Sequence, residues 1–71
     1  MTKRTLSVPD ISCEHCERAI KGALEPLDGI HLVEVDIPAH LVTVEYDDAR
    51  IGLARIEEAL LEEEYPVAHT S

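Results

Sequence analysis

The chain has 71 residues, 15 of them acidic and 6 basic, for a formal charge of −9, with two cysteines, two tyrosines and no Trp or Phe. A length like this allows one domain that buries only about 60% of its unfolded surface, around a thin core of Val, Ile, Leu and Ala. The scattered bases Lys3, Arg4, Arg18, Lys21, Arg50 and Arg55 make no phosphate-binding patch, and no apolar stretch is long enough to span a bilayer or to form a secretory signal. The expectation is therefore a cytoplasmic chain with no nucleic-acid partner and no direct membrane insertion, whose acidic surface steers it toward basic partners.

Thr5 to Val8 reads as a short strand with Leu6 and Val8 turned inward, ended by Pro9 and Asp10. From Cys16 the apolar positions run Cys16, Ala19, Ile20, Ala23, Leu24 and Leu27, the spacing of an amphipathic helix. Glu17, Arg18, Lys21 and Glu25 occupy its wet face, Ser12 is the expected N-cap, and Pro26 with Asp28-Gly29 closes it. Val33, Val35 and Ile37 then alternate with Glu34 and Asp36, and Val42, Val44 and Tyr46 alternate with Thr43 and Glu45. The two runs flank Pro38-Ala39-His40 and predict an antiparallel hairpin. A second helix is predicted over Leu53 to Glu63 with Ile56, Ala59 and Leu60 inward, followed by a short edge segment from Tyr65 to Ala68. The order β-α-β-β-α-β is an α+β, ferredoxin-like arrangement, with two helices on one face of a four-stranded antiparallel sheet.

Both cysteines fall in Ile11-Ser12-Cys13-Glu14-His15-Cys16, where the first strand gives way to the first helix. Thiols without a signal peptide point to a reducing compartment, where C-x-x-C binds metal or does redox work more often than it forms a structural staple. Residues three apart on a helix have Cβ atoms about 5–6 Å apart, close enough for both sulfurs to reach one ion. The positive end of the helix favours thiolate at Cys13 and Cys16. Thiolates are soft donors that select Cu(I) or Zn(II); two suffice for Cu(I), whereas tetrahedral Zn(II) wants two more ligands. The motif alone leaves metal and redox uses open.

The whole chain resembles a heavy-metal-associated domain of the small copper-chaperone type, also found at the N-termini of metal-transporting P-type ATPases. The resemblance rests on the element order, the C-x-x-C in the first loop, Asp28-Gly29-Ile30, Val33-Glu34-Val35-Asp36 and Tyr65 after the second helix. It implies one domain over residues 1–71, with Cys13 and Cys16 as the metal-binding thiols of the family's Met-x-Cys-x-x-Cys pattern. Ile11 stands where the family usually has Met, a buried tether that Ile can replace. Glu64 stands where Gly is common, and Ser12 where zinc-type relatives often carry Asp, which favours copper. Tyr65 matches a position close to the metal site in bacterial copper chaperones.

Two small buried hydrophobes at Cys13 and Cys16 fit neither their spacing nor their place in a loop. Thioredoxin-like chains are longer and usually carry a Trp before the motif. His15, between two chelating cysteines, is expected on the solvated side, the alternative being an accessory ligand, across a dimer for instance. His31, His40 and His69 are expected at the surface. Tyr65 is either an edge aromatic or a hydroxyl approaching the metal sulfurs. Glu57, Glu58 and Glu62 to Glu64 read as a solvated face or, less simply, as a docking surface for a basic partner.

The resulting expectation is a non-enzymatic metallochaperone or metal buffer holding one Cu(I) per chain and exchanging it with the N-terminal domain of a metal-transporting P-type ATPase. It is a monomer when metal-free, with a metal-bridged dimer as the alternative loaded form. The competing readings are a Zn(II), Cd(II) or Hg(II) domain of the same fold, its shell completed by Asp10, Glu14 or His15, and a thiol-disulfide redox module.

Overall fold

The computed structural model describes residues 1–11 and 14–70. The elements are β1 (Thr2–Ser7), α1 (Glu14–Leu24), β2 (Ile30–Asp36), β3 (Leu41–Tyr46), α2 (Leu53–Glu62) and β4 (His69–Thr70). The four strands form one antiparallel sheet in the order β2-β3-β1-β4, the ferredoxin-like arrangement expected from the sequence.

Alternation in the strands sets which face is covered. Leu6 pairs across the sheet with Val42, and Val44 with Val33, so all four side chains fall on the helix side. They pack with Val8, Ile11, Cys16, Ile20, Leu24, Tyr46, Ile51, Ile56, Ala59 and Leu60 in one core, and Leu27, Val35, Ile37 and Tyr65 add partly buried contacts. The register also shows that β1 begins at Thr2, earlier than its apolar alternation suggested: Lys3 and Arg4 are paired residues, opposite Glu45 and Val44.

Two boundaries differ from expectation for identifiable reasons. Helix α1 ends at Leu24 rather than reaching Leu27. Pro26 disfavours helical geometry at Glu25, and the chain leaves through a turn in which the Leu27 N–H donates to the Leu24 carbonyl at 3.0 Å. The edge strand is His69–Thr70, not Tyr65 to Ala68. The Tyr65 N–H is spent on the end of α2 and Pro66 has none, so pairing with β1 starts only when the Ala68 N–H reaches the Ser7 carbonyl at 2.8 Å. The expected cap Ser12 lies outside the described residues.

Two connections meet at the end of strand β1. The Val8 N–H donates to the His40 carbonyl of the β2–β3 turn at 2.9 Å, and Ser7 accepts from Ala68 in the segment before β4. The first loop therefore shares its end of the domain with the β2–β3 turn and the α2–β4 connection. The opposite end holds Gly29, Asp47 and Arg50.

Candidate metal centre

The first loop is anchored by burial. After Pro9 and Asp10, both exposed, Ile11 turns back into the core and is 0% exposed, while its N–H donates to the Val8 carbonyl at 3.2 Å. This burial and the hydrogen bond to Val8 fix the chain at Ile11, three residues before α1 begins at Glu14.

Cys16 lies in the opening turn of α1 on its buried stripe, four residues before Ile20, and is 6% exposed. Its Sγ faces the Asp10 carbonyl oxygen at 3.9 Å, a long contact that orients the sulfur toward the loop rather than toward the helix axis. Sequence reading did not foresee this backbone acceptor, because nothing in a residue pattern marks which carbonyl a turn will aim inward. Cys13 lies outside the described residues, as does the distance between the two thiols.

The other candidates separate. His15 is exposed, rotated about 100° around α1 from the buried Cys16 that follows it. His31, His40 and His69 are exposed as well. Tyr65 is half-buried against the same core that holds Cys16 and Ile11. Among the described residues no three His, Cys, Asp or Glu side chains are gathered as a metal-binding group.

Tyr65 is held there by the end of α2. Its N–H donates to the Leu60 carbonyl at 2.8 Å, and the Glu64 N–H donates to the Leu61 carbonyl at 2.9 Å. This pair of bonds is the Schellman arrangement, which requires a left-handed residue between helix and exit. That residue is Glu64, at φ 67°. The sequence marked the position only by its departure from the glycine common there in the family.

A model of the heavy-metal-associated domain matches residues 5–66. The chain belongs to that family. Within it, this heavy-metal-associated domain is 37% identical over 67 residues to the copper chaperone CopZ of Staphylococcus epidermidis, covering 94% of this chain and 98% of that protein. Its fold superposes on a CopZ metallochaperone with a TM-score of 0.91 at 30% identity, over 94% of this chain and all of that one (100%). It also matches the N-terminal domain of a potential copper-translocating P-type ATPase from Bacillus subtilis, solved in the Cu(I)-loaded state. There the TM-score is 0.86 at 24% identity, over 94% of this chain and 85% of that one, a likeness of fold. Among the described residues no helix is long and apolar enough to cross a membrane.

Proposed function

We propose that this domain is a cytoplasmic metallochaperone or metal buffer that carries one Cu(I) between Cys13 and Cys16. The observation that carries the reading is the placement of Cys16: a thiol at the first turn of a helix, sheltered in the core wall beside the anchored Ile11. A buried thiol of purely structural use needs no second cysteine three residues before it in the chain. Similarity to copper chaperones along nearly the whole chain supports the choice of metal, and the soft sulfur donors suit Cu(I).

The ion is cargo, so the domain acts as a carrier and not as an enzyme. Two sulfurs leave Cu(I) open to a third. A thiolate of a receiving domain, which we take to be the N-terminal domain of a metal-transporting P-type ATPase, adds to the ion before one of Cys13 and Cys16 leaves it. The ion is never released to water. The charge of −9 acts on the encounter, selecting a partner with a basic face around its own loop through on-rate and orientation. The metal-free domain is a monomer in this reading; a metal-bridged dimer uses the same open coordination.

Competition against chelators of known strength tests it on the reduced protein. Cys13→Ala and Cys16→Ala are each expected to weaken Cu(I) binding by more than the roughly 100-fold that loss of a supporting group produces. His15→Ala is expected to stay within a few-fold. Wild-type Cu(I) affinity in either cysteine variant would refute the reading. Tighter four-coordinate Zn(II) binding would replace it with the zinc alternative, and insulin-reductase activity above background with the redox one.

A further inference from the structure

Helix α2 buries Ile56, Ala59 and Leu60, but a second stripe with the same helical spacing, Ala54, Glu57, Glu58 and Leu61, is turned away from the core. Pro66 and Val67, in the segment leading to β4, rise beside it, so the two make an open groove along the flank of the helix. Its lining is largely apolar: Leu61, 61% exposed and the most exposed leucine of the described residues, shares the groove with Ala54, Pro66 and Val67. A single exposed leucine is ordinary. One set in a groove with three further apolar residues is a place where a partner side chain loses its water.

The rim decides what kind of partner. From Leu53 to Glu64 there are five glutamates and one arginine. That arginine, Arg55, is already shared between Glu58 at 3.2 Å and Glu62 at 3.8 Å. Glu57 accepts the Thr70 hydroxyl at 3.0 Å, and among the described residues no cation pairs with it. Phosphate-bearing surfaces, nucleic acid or anionic lipid, are repelled from such a rim. A second copy of this chain brings −9 of its own.

We infer that the α2 flank is a docking groove for a cationic protein segment that places an aliphatic side chain on Leu61 and Val67 and its Lys or Arg residues against Glu57 and Glu58. The two halves divide the labour: Leu61 and Val67 supply the dry contact, and the glutamates supply attraction and register. The inference is independent of the copper reading, since the groove involves neither cysteine and its occupation is measured on the metal-free protein.

The test is amide chemical-shift mapping of the reduced, metal-free domain with a capped peptide of alternating lysine and leucine, against a lysine-only peptide of equal charge. Saturable shifts are expected at Ala54, Glu57, Glu58, Leu61 and Val67 with the mixed peptide, weakening about ten-fold from low to high salt as exposed charges are screened. The lysine-only peptide is expected to bind at least ten-fold more weakly. Leu61→Ser should remove the preference for the mixed peptide, and Glu57→Gln with Glu58→Gln should weaken both peptides, while Asp36→Asn on the sheet edge changes neither. Unaltered shift dispersion in each variant reports an intact fold. Shifts spread over carboxylates at Asp36 and Asp48 without saturation would overturn the inference, as would a Leu61→Ser variant that still prefers the mixed peptide.

Discussion

The two ends of the domain solve the same backbone problem with different residues. At the end away from the thiol loop, the left-handed position is Gly29, at φ 99°, and the Asp47 N–H closes on its carbonyl at 2.8 Å. Arg50 adds ion pairs to Asp28 at 3.3 Å and to Asp47 at 3.5 Å. At the thiol end the left-handed residues are His40, at φ 57°, and Glu64, at φ 67°. A side chain in that region costs about 1–2 kcal/mol that glycine avoids. The far end is therefore built from residues that favour its conformation. The end that carries the C-x-x-C loop is held in conformations its own residues resist, by hydrogen bonds around the end of β1 and by the cap of α2. Local opening is expected to begin there.

Ile11 is the strongest lever on this contrast. Ile11→Ala removes a fully buried side chain and should cost about 3 kcal/mol in denaturant unfolding. Ile11→Met, which keeps the volume, should cost less than about 1.5 kcal/mol. Because the same side chain pins the loop ahead of Cys16, the alanine variant is also expected to hold Cu(I) more weakly and exchange it faster, and the methionine variant to behave as wild type. Equal Cu(I) affinity in all three would mean that the loop is not held through this contact.

Gly29→Ala tests the other end. A Cβ there would stand 2.9 Å from Ile51 Cγ2 and 3.0 Å from Arg50 Cβ, on a backbone that side chains disfavour. The expected loss is about 2 kcal/mol, from the left-handed conformation and the crowding together. Cu(I) affinity should remain within about two-fold of wild type at temperatures where the variant is folded. A parallel fall in affinity would show that the two ends do not act separately.

The period-2 runs at Val33 to Ile37 and Val42 to Tyr46, and the helical stripe from Cys16 to Leu24, made the sheet and both helices legible, because burial of one face leaves a regular mark on sequence. The inward Ile11 and the outward His15 were also readable, since helix geometry and the family pattern each constrain them. The edge strand was not. Which of Tyr65 to Thr70 pairs with β1 depends on where the cap of α2 releases the chain, a tertiary matter that the alternation of Tyr65, Val67 and His69 does not encode. Nor was the Asp10 carbonyl beside Cys16 readable, because a backbone acceptor has no residue identity. Glu64 is the intermediate case: its departure from glycine was visible, and its left-handed backbone was not.

That residue offers the smallest and cleanest measurement. Glu64 is exposed, so replacing it disturbs no packing, and its conformation is imposed by the two hydrogen bonds that end α2. Glu64→Gly relieves the left-handed conformation but also frees the unfolded chain, so the net gain should be about 1 kcal/mol. Glu64→Gln removes the same charge and keeps the backbone penalty, so the difference between the two variants isolates conformation from electrostatics. If glutamine stabilises as much as glycine, the penalty at this position is charge repulsion at the acidic end of α2 and not strain. If glycine alone stabilises, the left-handed cap is the source. Slower amide exchange at Tyr65 and Ala68 in that variant would then tie the cap to opening at the thiol end, because these N–H groups join the end of α2 and the end of β1.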